Sequence, residues 1–192
     1  QADPNPRWYQ FAKNLLEQTM AHFRDSALGF FDTSDEEETL LYRPHDLQDN
    51  ATPSGNALAA MLLLKVAAYE DRSDWQSVAQ GILEANLSLI LRYPTAFAQW
   101  LCAIDFSLGP VHQVAIVGDQ DEPLTGALLQ TVYRGYHPCL VLTASAWPPP
   151  DGAPALLEER PLLGGKPTAY ACQGFVCQQP TNDPLVLLKQ IK

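Results

Sequence analysis

The sequence predicts helical hairpins followed by a small α/β unit, and three observations carry that reading. Between Trp8 and Gly109, apolar residues recur at the i, i+3, i+4 spacing of helices in four successive runs. One of those runs, residues 58–68, is apolar on nearly every face, as a helix surrounded by other helices is. After Pro110 the pattern gives way to β-branched, strand-like segments separated by a helical one, the order of a parallel βαβ crossover. The boundary is expected near Gly109, with a helical region over residues 1–109 and an α/β region over residues 110–192.

Trp8, Phe11, Ala12, Leu15, Leu16, Thr19 and Phe23 form the amphipathic stripe of a first helix. Gly29 turns the chain, and Pro44 keeps Arg43 out of the helical region, so the connection that follows is irregular. The second helix begins with Thr52 or Ser54 as cap and Pro53 in its first turn, where a missing N–H costs little, and runs to about Tyr69. Ser73-Asp74-Trp75-Gln76 has capping-box form and opens a third helix that continues through Ile82, Leu83 and Ile90 until Pro94. Phe97, Trp100, Leu101 and Ile104 define a fourth, closed by Gly109-Pro110. In the second region three strands are expected, residues 111–117, 139–143 and 168–172, mostly parallel. A helix from about Pro123 to Gly135 joins the first two. Trp147-Pro148-Pro149-Pro150 cannot hold regular ladder bonds and is a surface loop, and Asp183-Pro184 starts a final helix.

The 192 residues, 46% of them hydrophobic, are ample for a packed core. A formal net charge of −10 argues against nucleic acid and anionic membrane surfaces as partners, because both are bound through clustered Lys and Arg. The apolar run at residues 58–64 is interrupted by Lys65, far short of the roughly 20 residues of a membrane span. Gln1-Ala2-Asp3-Pro4-Asn5-Pro6 lacks the basic start and apolar stretch of a signal peptide, so a cytoplasmic location is expected. Asp35-Glu36-Glu37-Glu38 reads as a solvated acidic stretch.

Cys102, Cys139, Cys172 and Cys177 sit in apolar contexts typical of reduced, buried thiols. The four residues between Cys172 and Cys177 are not the two of a thioredoxin-type motif, and His137 with Cys139 makes only a loose addition, so no metal site is expected. Nor is a nucleotide cofactor: no Gly-X-Gly-X-X-Gly follows the strand ending at Val117, and Asp119, Asp121 and Glu122 surround the next helix start with negative charge.

Four segments, in order, carry a family resemblance: Gly29-Phe30-Phe31-Asp32-Thr33, residues 43–56, Val114-Ala115-Ile116-Val117-Gly118, and residues 166–177 with their Cys-X4-Cys spacing. Together they resemble the proteins described as spermatogenesis-associated in animals and YyaL-type in bacteria, and the resemblance covers most of the chain. It implies that the chain corresponds to the C-terminal portion of proteins that also carry an N-terminal thioredoxin-like domain, which is absent here. It further implies that the helices belong to a toroid like the six-hairpin α/α rings of sugar epimerases and glycoside hydrolases. Four helices do not close such a ring, so homo-oligomerisation, or cover by the missing N-terminal part of the family architecture, is expected.

In such toroids the loops at the inner helix ends line the pocket, and the polar segment of residues 46–56 lies at one. Asp32, His45 and Asp46 are the candidate catalytic groups, and Asp49, Asn50, Ser54 and Asn56 the candidate ligand-binding groups, for a sugar-like small molecule. Asp49, Asn50, Thr52 and Ser54 are equally good capping residues, and the two roles are compatible. The alternative function is a non-catalytic interaction module in which the polar segment is structural.

Overall fold

The structure, a computed structural model, describes residues 6–25, 29–36 and 41–192. The chain is mixed α plus β and divides into two compact units, one of residues 11–67 and 72–109, the other of residues 1–10, 68–71 and 110–192. Gln1 to Asn5, on which the reading of the N-terminus falls, and Glu37 and Glu38 of the acidic stretch lie outside the described residues.

The first unit is built from α1 (Pro6–His22) beyond residue 10, β1 (Arg24–Asp25), β2 (Gly29–Phe30), α2 (Gly55–Glu70) up to residue 67, α3 (Ser73–Arg92) and α4 (Ala98–Leu108). The composition of α2 is matched by its burial: Ala57, Ala60, Leu63, Leu64, Val66 and Ala67 are all inside. On α3 Trp75, Ala79, Ile82, Leu83 and Ile90 are buried, and on α4 Trp100, Ala103 and Phe106. The stripe on α1 behaves differently, because Leu16 is its one buried residue while Phe11 and Leu15 are exposed.

Two helix starts depart from expectation. Pro53 precedes the cap of α2 rather than entering its first turn, and Ser54 is the cap, its Oγ accepting from the Ala57 N–H at 3.1 Å. At α3 the capping box does not form. The Arg72 carbonyl accepts the Gln76 N–H at 3.1 Å, which draws Ser73 into the first turn, and the Asp74 carboxylate is held by the Arg72 guanidinium at 2.6 Å.

The second unit carries β3 (His112–Val117), α5 (Pro123–Tyr133), β4 (Leu140–Ser145), β5 (Thr168–Gln173), β6 (Val176–Cys177) and α6 (Pro184–Gln190). β3 and β4 pair in parallel through the α5 crossover, His112 opposite Leu140. The expected three-stranded, mostly parallel sheet is corrected to four mixed strands in the order β4-β3-β5-β6, with β5 antiparallel to β3. A parallel return needs a crossover helix, and between β4 and β5 the chain has only a single 3-10 turn, Ala155–Leu157. β6 then folds back on β5 through a two-residue turn, Gly174-Phe175, with φ of 55° and 62°.

On one face of this sheet Val114, Ile116, Leu140, Leu142, Ala169 and Ala171 pack with Leu128 and Val132 of α5, Leu187 of α6 and Ile191 just after it. Gln113 is buried, and both ends of its amide are engaged: Nε2 donates to the Ala68 carbonyl at 2.7 Å and Oε1 accepts the Phe175 N–H at 2.8 Å. Asp183 caps α6 by accepting the Leu185 N–H at 2.8 Å, with Pro184 in the first turn.

The cysteine expectation is also corrected. Cys172 and Cys177 form a disulfide, and of the pair only Cys172 is buried. The Gln178 N–H donates to the Ala171 carbonyl, so Ala171 and Gln178 are a hydrogen-bonded pair and the neighbouring Cys172 and Cys177 a non-hydrogen-bonded one, where side chains approach most closely. Cys102 and Cys139 form no disulfide; the first is exposed and the second half-buried. Among the described residues no helix is long and apolar enough to cross a membrane.

Candidate functional site

Residues 42–47 of the segment leading to α2 have no regular secondary structure, so their backbone groups need partners from elsewhere. Asn56, in the first turn of α2 and 1% exposed, supplies several. Its Oδ1 accepts the Phe30 N–H at 2.7 Å and its Nδ2 donates to the Phe30 carbonyl at 2.8 Å, so one side-chain amide pairs with one backbone residue as a strand would. The same Nδ2 reaches the Asp46 carbonyl at 3.4 Å. Gly29 leaves the room: its φ is +135°, and a Cβ there would lie 2.6 Å from Asn56 Oδ1.

Asp49 makes a second clasp. Its carboxylate oxygens accept the Ser54 N–H and the Gln99 N–H, each at 2.8 Å, and its own N–H donates to Ala96 at 2.9 Å. Gln99 lies in the first turn of α4, where no neighbouring side chain caps the helix, so Asp49 satisfies an orphan donor from fifty residues away. The Trp100 indole N–H closes the arrangement on the Leu47 carbonyl at 2.8 Å.

His45 Nδ1 faces the Phe30 carbonyl at 3.0 Å, so that nitrogen carries a proton. Nε2 lies 3.3 Å from Asp25 Oδ2, and the ring packs on Phe31 with centroids 4.3 Å apart. Arg43 covers the other aromatic contact, its guanidinium 4.0 Å from the Phe31 centroid and donating to the His22 and Thr33 carbonyls.

The seven candidate residues therefore divide. Asp49, Ser54, Asn56 and His45 converge on the mouth of α2, with their polar atoms engaged by backbone or by Asp25. Asp46 is exposed and folds back on the Gln48 N–H at 3.2 Å. Asp32 and Asn50 are exposed, and their side chains make no hydrogen bond to the described residues. None of the seven lines the nearby cavity of about 310 Å³, whose walls include Arg24, Asp25, Gly29, Ser77 and Ile82. Among the described residues no group of three His, Cys, Asp or Glu side chains is placed to hold a metal ion. Sequence reasoning missed Asp25, which both lines that cavity and pairs with His45; its strand is two residues long, too short for a periodic signal.

A helical unit whose central helix is clasped at its mouth by Asp49 and Asn56, together with a four-stranded mixed sheet, is the class of protein the fold and site define. No family model matches the chain. Over 199 aligned residues it is 30% identical to spermatogenesis-associated protein 20 of Homo sapiens, 29% to that of Rattus norvegicus and 28% to that of Mus musculus, with 98% of the chain covered each time. These relatives carry the name of the spermatogenesis-associated proteins that the chain's motifs resemble. The chain spans about a quarter of the length of these curated relatives, 25% of each.

Proposed function

We propose that this chain is a non-catalytic structural and interaction module of a larger family architecture, in which residues 46–56 hold the central helix in place. One observation carries the reading: the best-buried polar groups of the segment, on Asp49, Ser54 and Asn56, are occupied by main-chain partners and have little left to offer a ligand. The interaction surface is apolar. Phe11 and Leu15 are neighbours on α1, Leu87 and Leu91 on α3, and all four are exposed, as is Leu58 of α2. The finer architecture belongs to the same proposal: the helices are part of an incomplete α/α toroid, completed by self-association or by the remainder of the protein, which includes a thioredoxin-like domain.

A second reading keeps a sugar-like pocket, favoured by the cavity beside Asp25 and the Asp25–His45 pair. Two measurements separate them. Size-exclusion chromatography with light scattering is expected to show self-association that Phe11→Ser with Leu91→Ser reduces, and a thermal-shift screen of sugars and sugar phosphates is expected to show no stabilisation. A saturable shift with a sugar, lost in His45→Ala, would overturn the structural reading in favour of the pocket.

A further inference from the structure

The Arg160 side chain is 8% exposed, yet no carboxylate oxygen of the described residues lies within ion-pair distance of it. Nη1 donates to the Glu158 carbonyl at 2.9 Å, and Nε is buried without a partner. Nη2 points at the disulfide, 3.4 Å from Cys177 Sγ and 3.8 Å from Cys172 Sγ. Disulfide sulfur is neutral and a weak acceptor, so in the oxidised site Nη2 has no strong acceptor, and the more distant charge of Glu158 offsets its burial only in part. Burial pushes the Arg160 pKa down, the same penalty on its charge seen from the proton's side. An anion at either sulfur would remove it.

We propose that Cys172 and Cys177 form a thiol–disulfide exchange site, in which Cys177 is the sulfur attacked by the thiolate of an otherwise uncharged reductant and Arg160 holds the thiolate released at Cys172. Exposure sets the order, since Cys177 is on the exposed edge strand and Cys172 is 2% exposed. A cavity of about 590 Å³ reaches Cys177 between Arg160, Tyr170 and Phe175, which gives the thiol a way in. Asp71, Glu158 and Glu159 also line it, so acidic residues outnumber basic ones around the cavity and a reductant with carboxylates of its own is disfavoured. The hairpin that presents the pair is fixed by Gln113, whose Oε1 holds the turn at the Phe175 N–H.

In the first step the incoming thiolate forms a bond to Cys177 Sγ, the Cys172–Cys177 bond breaks, and the electron pair leaves on Cys172 Sγ beside Arg160 Nη2. A second thiol then attacks the reductant's sulfur in the mixed disulfide and releases Cys177, which takes a proton. Two thiols are oxidised to one disulfide, the protein gains two electrons, and the second thiol proton goes to solvent while Cys172 remains a thiolate. The rate of such exchange rises as the leaving thiol's pKa falls.

The test uses the oxidised chain with dithiothreitol, an uncharged dithiol, and with glutathione, which is anionic, followed by alkylation and peptide mass mapping. The oxidised peptide of residues 170–179 is the reference for intrinsic reactivity. Relative to that peptide, dithiothreitol is expected to reduce the protein faster and glutathione slower, and Arg160→Gln to slow dithiothreitol by about tenfold, with Arg160→Lys recovering part of the loss. In the reduced wild type the ultraviolet thiolate signal is expected to persist well below the ordinary thiol pKa of about 8.5 and to move up in Arg160→Gln. If Arg160→Gln does not fold, the wild-type titration and the two-reductant comparison decide alone. A Cys172 thiol titrating at its ordinary value, or a protein that follows the peptide with both reductants, would overturn the proposal.

Discussion

Replacing Asn56 with alanine tests the clasp most directly. The side chain is 1% exposed, and its Oδ1 is the acceptor for the Phe30 N–H at 2.7 Å, so truncation strands a buried backbone donor. An orphaned buried donor costs about 1–3 kcal/mol. The Phe30 carbonyl is not stranded with it, because His45 Nδ1 still donates to it at 3.0 Å. The small void left by the amide adds about 1 kcal/mol, for a total of about 2–4 kcal/mol. In a chain of this size each kcal/mol lowers the melting midpoint by about 2–4 °C, so a fall of about 10 °C is expected by circular dichroism. The control is Asn50→Ala, at an exposed side chain with no hydrogen bond to the described residues, expected to change stability by less than about 0.5 kcal/mol. If the two variants melt together with the wild type, Asn56 does not hold the helix mouth, and the assignment of its polar atoms to structure is refuted.

Gly29→Ala places a Cβ 2.6 Å from Asn56 Oδ1 at a φ of +135° and is expected to cost about 2–4 kcal/mol in urea unfolding. Because both substitutions act on one pairing, the Gly29→Ala, Asn56→Ala double variant is expected to lose less than the sum of the singles in the same assay. Asp49→Ala removes the acceptor for two backbone N–H groups, including the one at the start of α4, and is expected to cost about 2 kcal/mol. Asp74 is fully exposed, and its side-chain hydrogen bonds from Arg72 lower its pKa to about 2 from 3.8. The folded value is below the unfolded one, so the pair's contribution is present above pH 3.8 and is lost as pH falls through about 2. A carbon-detected NMR titration is expected to place the Asp74 midpoint there in the wild type and nearer 3.8 in Arg72→Gln.

What was legible in the sequence was whatever repeats along it. The apolar periodicity of α3 and α4 and the unbroken apolar run of α2 extend over three turns or more, and the β-branched run of β3 marks a strand buried along nearly its whole length. Ser54 was legible as a cap because capping is a local act. The direction of β5 was not, because it depends on the connection before it and not on its own residues. The disulfide was hidden for a related reason: pairing Cys172 with Cys177 requires a two-residue turn with Phe175 at a φ of 62°, a conformation the sequence does not announce with a second glycine or an asparagine. Asn56 looked like a ligand-binding amide because its partner, Phe30, lies 26 residues away.

The density of polar residues in residues 46–56 follows from that last point. The chain approaches α2 without a ladder or helix of its own, so its backbone groups take partners from elsewhere, several of them side chains. Asn56 serves Phe30 and Asp46, Asp49 serves Ser54 and Gln99, and the Trp100 indole serves Leu47. A helix as apolar as α2 makes this necessary, since an entry segment held against a packed core has fewer waters to bond. A catalytic loop needs polar atoms aimed outward with free valence, whereas here the most buried ones are turned inward to the backbone. The same composition thus meets two demands that differ only in where the side chains point, and at the mouth of α2 the inward demand is met first.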